Sequence, residues 1–388
     1  MTAVAEAATP TGATPPRPRT IADLVEQHSP GFDALRLVLA FLVLVSHTWP
    51  LGGFGDEPRS PLAPTYLTLG GFAVAGFFAM SGLLVGRSAV RRPLGAFARA
   101  RVLRIVPGYA TAVIVTALPV AGLAWLHEHG GLAGFVDASP EGPLGYIGRW
   151  LLFGTDMVHG VQGVFTSSTP YGLASGSSFV NGSLWTLPYE VRCYLVIGMV
   201  GLAVRRWGQQ RSIGVAWALT GLVAVGYHQS PDLVGHTIGT VADRTLVMLL
   251  FVFLTGSLVG VFADRVRLMG WMPFAALAIA LVVGRWSMFL SEHLGNAALA
   301  VVLPSVAVLL APAGARLRGV DLSYGLYLYA WPVQMLLAMY GLDGNPWVFV
   351  FVATAITAVL AAASWFGIER PGVLRWGRTR EPMTGVPR

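Results

Sequence analysis

The sequence predicts an all-α protein: a polytopic integral membrane helical bundle of about ten transmembrane helices with both termini cytoplasmic. Three observations predict it. Hydrophobic residues make up 54% of the 388 and charged residues only 12%, about half the charge of a soluble domain. The apolar residues gather into runs long enough to cross a hydrocarbon core of ~30 Å. The 26 basic residues, every one an arginine, cluster in alternate joins between those runs, as positive-inside bias requires.

Taken in order, residues 1–31 are rich in Ala, Thr and Pro and read as a disordered cytoplasmic tail. No apolar core precedes Phe32, so no cleavable signal peptide is expected and the first span directs insertion. Residues 32–371 form the membrane domain, with spans near 33–50, 67–87, 104–126, 185–203, 212–228, 244–262, 269–286, 295–312, 321–341 and 346–368. Arg285 and Glu292 mark the join between the seventh and eighth. Arg87, Arg91, Arg92, Arg99, Arg101 and Arg104 crowd one join. Arg205, Arg206 and Arg211, then Arg265 and Arg267, then Arg316 and Arg318 mark the alternate ones. The tail 372–388 adds Arg375, Arg378, Arg380 and Arg388 on the same side. Residues 127–184 form a long outer loop, in which Tyr146–Phe153 is an aromatic and apolar patch suited to the membrane interface.

The net charge of +7 is not a nucleic-acid signal, because the arginines flank apolar spans. The single cysteine, Cys193, excludes an intrachain disulfide. No metal site is expected: His127-Glu128-His129 lacks the i, i+4 spacing that places two imidazoles on one helical face. No internal repeat is evident, which counts against a transporter built from inverted halves.

Arg36 and His47 bracket an otherwise apolar stretch of the first span. Eleven residues return to nearly the same helical face after a rise of about 16 Å. Polar groups at that depth are costly and point to function, although Arg36 snorkelling to the headgroups is the plain alternative. In the fourth span, a helix starting near Thr186 would hold Pro188 in its first turn, where the missing N–H costs little. Glu190 would then benefit from the helix N-terminus. Oppositely directed spans place His47 and Glu190 at similar depth, suiting a general base and its orienting carboxylate. The alternative is a structural ion pair of Glu190 with Arg192 or Arg36. Arg101 and Arg104, at i and i+3, share a helix side and suit a diphosphate, with Arg36 as a third cation.

These stretches resemble motifs of the membrane-bound acyltransferase family 3, and the resemblance covers residues 32–371. It rests on Arg36 and His47 with ten residues between them, on Phe77-Phe-x-x-Ser81-Gly82, and on Arg101-x-x-Arg104-x-x-Pro107-x-Tyr109. It continues in Ser183-Leu-Trp185-x-Leu-x-x-Glu190, Ser323-Tyr324-Gly325-Leu-Tyr327-Leu and Glu369-Arg370-Pro371. One position departs: Ala330 stands where many members carry a histidine before the late Trp-Pro, so that histidine's role is not carried over. The chain reads as a stand-alone member.

The resemblance implies an integral membrane O-acyltransferase of the bacterial inner (plasma) membrane. It would move an acyl group, acetyl above all, from cytosolic acyl-coenzyme A to a hydroxyl of a sugar, glycan or glycolipid acceptor. Arg36, Arg101 and Arg104 would hold the donor phosphates, and His47, oriented by Glu190, would deprotonate the acceptor for direct attack. A covalent acyl-histidine step stays open. Ser81, Trp185, Tyr324 and Tyr327 are candidates for the substrate path. For each there is a structural alternative: close packing, an interface anchor or an aromatic core stripe. Acceptor recognition is expected in the outer loop, at Trp150, Asp156, His159 and Tyr171. The rival reading is a secondary transporter or channel using Arg36, His47 and Glu190 as a relay.

Overall fold

A computed structural model describes residues 19–60, 67–136, 141–153, 159–317 and 319–372, apart from the side chains of 90, 91 and 205. Residues 1–18, Asp156, Arg318 and the tail arginines from Arg375 onward lie outside the described residues. The described residues are helical, with two isolated bridges and no strand.

The chain begins with α1 (Ile21–Glu26), α2 (Gly31–Leu51), α3 (Leu69–Arg91) and α4 (Leu94–Val115). A π-helical turn, Thr116–Val120, carries α4 into α5 (Ala121–His129). The long loop that follows contains α6 (Pro143–Leu151), α7 (Pro170–Ser175) and a 3-10 turn, Gly182–Trp185, that leads into α8 (Thr186–Trp207). Then come α9 (Gln209–Gln229), α10 (Pro231–Ile238), α11 (Arg244–Val261), α12 (Trp271–Trp286) and α13 (Met288–Leu290). A second π turn, Ser291–Gly295, joins α13 to α14 (Asn296–Arg316). The last helices are α15 (Ser323–Met339) and α16 (Pro346–Ser364), the latter ending in a π turn, Trp365–Glu369.

Helices occupy all ten expected positions, and seven of them are long and apolar enough to cross a membrane. The other three differ for visible reasons. α12 and α15 have only 16 and 17 residues, whereas α9 opens on the polar run Gln209-Gln-Arg211.

Residues 20–26, which the sequence assigned to a tail, fold onto the bundle. Thr20 and Asp23 cap α1 reciprocally, each side chain bonding the other's backbone N–H. Ile21 and Leu24 are fully buried, and the Ile21 and Ala22 N–H groups donate to the Val266 and Ala263 carbonyls at 3.1 Å. Two apolar side chains with a complete cap suffice to order what composition marks as tail.

α2 is central, packing on α3, α14, α15 and α16. Its residues Leu35, Leu39, Val43 and Leu44 recur at helical spacing and are at most 2% exposed. α15 runs beside it in the same direction, and the fully buried Gln334 donates to the Leu44 carbonyl and to Thr48 Oγ1. α3 meets α11 through small residues. A Cβ on Gly82 would lie 1.8 Å from the Phe253 carbonyl oxygen, and one on Gly256 would lie 2.1 Å from that of Ala79. Between membrane helices such backbone approach is a main source of cohesion. Gly82→Leu should therefore cost more than the ~1–3 kcal/mol of ordinary overpacking, read as a lowered melting temperature and loss of monodisperse protein. Gly95→Ala, with open space around its Cβ, should show neither effect.

The described parts of the long loop pack onto the bundle. α6 turns Tyr146 and Trp150 into the bundle, where Trp150 O accepts from the Tyr109 hydroxyl at 2.7 Å. Leu144 and Leu152 stay exposed on the other side. Glu128 accepts the Phe165 N–H at 2.9 Å and so pins the loop to α5.

Candidate active site

A cavity of about 260 Å³ opens between α2, α3, α4, α8 and α15. Seven of the nine expected site residues line it: Arg36, Ser81, Arg101, Arg104, Glu190, Tyr324 and Tyr327. They are brought together because the N-terminal halves of α2, α4 and α15 share one end of the bundle, while α3 and α8 run toward that end.

The three arginines are not equivalent. Arg104 is committed: it pairs with Asp321 and, at 3.5 Å, with Glu369, and its guanidinium lies 5.6 Å over the Tyr324 ring. Glu369 is 2% exposed and also accepts the Ser364 hydroxyl at 2.9 Å. Arg36 pairs with Asp33 at 3.2 Å on its own helix. Arg101 forms no ion pair among the described residues; it lies 5.8 Å over Tyr194, and its buried Nε has no hydrogen-bond partner. An unpaired guanidinium beside a cavity is the strongest anion receptor of the three.

Glu190 accepts a hydrogen bond from the Tyr194 hydroxyl, one turn along α8. It forms neither alternative ion pair, since Arg192 engages Asp243 at 3.3 Å and Arg36 engages Asp33. The expected contact of Glu190 with His47 is also not formed: no hydrogen bond or ion pair joins them among the described residues. The reason lies in where α8 begins. Asn181 is fully buried and donates to Thr116 Oγ1 and the Leu328 carbonyl. The chain therefore dips into the bundle before the helix starts, with Gly182 beneath the Trp331 ring. Irregular backbone at depth is tolerated where protein surrounds it. Thr186, the first residue of α8, consequently meets Tyr327 at 2.7 Å. Glu190 lies one turn below that contact on α8 and Trp331 one turn above it on α15. The two levels differ by roughly 12 Å along the axis.

His47 belongs to the upper level. Its ring meets the edge of Trp331 at 4.8 Å, and its buried Nδ1 has no partner. Trp331 donates from Nε1 to the Phe179 carbonyl at 3.0 Å and packs against Tyr171 at 5.4 Å. His159 stacks on Phe179 at 4.5 Å and approaches Trp150 at 6.1 Å. Burial holds the His159 imidazole below its ordinary value, so it is neutral at neutral pH. The loop between α5 and α8 thus brings Trp150, His159 and Tyr171 around the His47–Trp331 pair. Buried polar atoms without partners gather here too: His47 Nδ1, His159 Nδ1, Ser183 Oγ and Gln334 Oε1. Native interiors rarely leave such groups unmet, which points to a polar occupant. Trp185 lines neither level and packs on Tyr189 at 5.8 Å.

Three acids escaped the sequence reading of the site. Glu369 stood in a motif without a role, Asp321 stood two residues before one, and Glu57 stood in none. The available signal was scarcity: with 19 acidic residues in 388, any acid beside a span merits a partner. Among the described residues no group of three or more His, Cys, Asp or Glu side chains could hold a metal.

A family model described as "Acyltransferase domain" matches residues 29–366. The chain is 31% identical to "Nodulation protein 10" of Rhizobium leguminosarum bv. viciae, over 89% of this chain and 94% of that protein. It is 27% identical to an "O-acetyl transferase" of Shigella phage Sf6, over 79% and 84% respectively. No solved structure matches.

Proposed function

The chain belongs to the membrane-bound acyltransferase family 3, and on that premise we propose that it acetylates a hydroxylated acceptor from acyl-coenzyme A through His47. It is an O-acyltransferase and a multi-pass membrane protein; a transporter is not needed to account for its buried polar residues. The finer reading is of a bacterial inner-membrane enzyme with ten crossings, both termini cytoplasmic and a sugar, glycan or glycolipid as acceptor.

One observation carries it: a cavity lined by the unpaired Arg101 and by Thr186 and Tyr327, the last one turn short of the Trp331 that meets His47. Arg101 and Arg36 receive the donor phosphates from the cytoplasmic side, and Arg104, fixed by two carboxylates, supports the wall. The pantetheine arm extends past Glu190, whose carboxylate can accept only from donors such as its amide N–H groups. The thioester arrives at the Thr186–Tyr327 contact. Beyond that contact, beside Trp331, His47 takes the acceptor's hydroxyl proton, the oxygen bonds to the acyl carbon, the C–S bond breaks, and the imidazolium returns the proton to the thiolate. Acetyl is favoured by the likeness to an O-acetyl transferase.

The test uses full-length protein in liposomes with radiolabelled acetyl-coenzyme A and envelope glycolipid extract. Arg101→Ala should raise KM for the donor by roughly 10- to 100-fold, the worth of a charge-assisted hydrogen bond, with kcat largely kept. Unchanged donor KM in that variant, or no coenzyme A binding by wild type in calorimetry, would sink the donor assignment.

A further inference from the structure

We propose that Glu57 is a specificity-determining residue of the transfer reaction, its carboxylate binding a second acceptor hydroxyl beside the one that is acylated. The inference rests on the O-acyltransferase reading with His47 as base.

Glu57 follows α2, ten residues beyond His47, in the turn that leads to α3. Its seat is built. Oε2 accepts the Ser46 hydroxyl at 2.6 Å, and the oxygen of that hydroxyl accepts the Gly70 N–H at 2.8 Å. Ser46 is fully buried. A Cβ on Gly70 would lie 3.1 Å from Ser46 Oγ and 3.2 Å from Glu57 Oε2, so the bare glycine makes the room in which the carboxylate rests. One oxygen is thereby fixed. The other, Oε1, takes no hydrogen bond from a described residue, and Glu57 forms no ion pair among them. A half-buried carboxylate anchored on one oxygen, with no cation to offset it, is poised to accept from something that binds.

The surroundings say what binds. Glu57 bonds Ser46, the residue before His47 on α2, and its charge reaches the Tyr171 hydroxyl on α7. Gly53, in the same turn as Glu57, abuts Pro170 at the start of α7. Burial first, then that charge, raises Tyr171 above its ordinary value and keeps its hydroxyl protonated. Glu57 forms no ion pair with His47 among the described residues, and the buried His47 Nδ1 has no hydrogen-bond partner. An ionised carboxylate only accepts hydrogen bonds, so the group that meets it must donate, and the acceptor of this reaction brings hydroxyls. During transfer the acylated oxygen gives its proton to His47, and Glu57 exchanges none.

The test measures acetyl transfer by the full-length protein in liposomes to monosaccharide, cyclitol and glycerol-type polyols and to their monodeoxy analogues. Wild type should lose on the order of 10- to 100-fold in kcat/KM when one hydroxyl other than the acylated one is removed. Glu57→Gln should lose a comparable factor on the full polyol, mostly through acceptor KM, and should no longer distinguish polyol from deoxy analogue. Glu57→Asp and Ser46→Ala, which shift the carboxylate or free it, should fall between and carry the test if the Gln variant does not fold. Discrimination that survives Glu57→Gln, or a loss confined to kcat, would overturn the inference; the latter would mean that Glu57 acts through His47. Wild type that transfers equally well to every deoxy analogue overturns it alone. Absence of both transfer and acetyl-coenzyme A binding overturns the parent reading as well.

Discussion

His47→Ala should lower acyl transfer by about 10²- to 10⁴-fold, the usual worth of a positioned general base, while acetyl-coenzyme A binding stays near the wild-type level. The separation of the two readouts follows from the geometry. Arg101, Arg36 and Glu190 line the cavity, whereas His47 lies beyond the Thr186–Tyr327 contact, against Trp331. In the proposed reading the donor binds to residues that the substitution does not touch. His47→Gln keeps more of the volume beside Trp331 and serves as the folding control. Transfer within a few-fold of wild type in both variants would remove His47 from the chemistry. Loss of donor binding along with transfer would mean that the two levels are one site.

Arg104→Ala should be the most destabilising of the arginine substitutions, by roughly 3–5 kcal/mol, because it strands a pair of buried carboxylates. Asp321 is 11% exposed and Glu369 2% exposed, and both face the Arg104 guanidinium. Their helices are held through it: α4 carries the arginine, Asp321 precedes α15, and Glu369 closes the final π turn. Arg104→Lys should recover only part of the loss, since an ammonium cannot bridge two carboxylates as a planar fork does. Replacing both acids by their amides in the Arg104→Ala background should recover more. Thermal unfolding in detergent with a fixed lipid content reads all of these. An Arg104→Ala protein as stable as wild type, but weakened only in donor KM, would return this residue to the phosphate site where the sequence placed it.

What the sequence determined by itself is the part governed by local rules. Apolar runs of membrane length sit where the helices are. Motif spacing brought Arg36, Ser81, Arg101, Arg104, Glu190, Tyr324 and Tyr327 forward together, and these residues share one cavity. Three things were decided only by the tertiary structure. Depth was one: the buried Asn181 and the 3-10 turn start α8 well inside the bundle, which sets Glu190 below His47 instead of beside it. Pairing was another, since the partners of Arg104 lie 217 and 265 residues away in the chain. The third was the seat of Glu57, made by Ser46 and the missing side chain of Gly70. Periodicity along a helix reports which face a residue occupies. It carries no information about the axial offset between helices or about charges that meet across the bundle, because those are fixed by packing among segments remote in sequence.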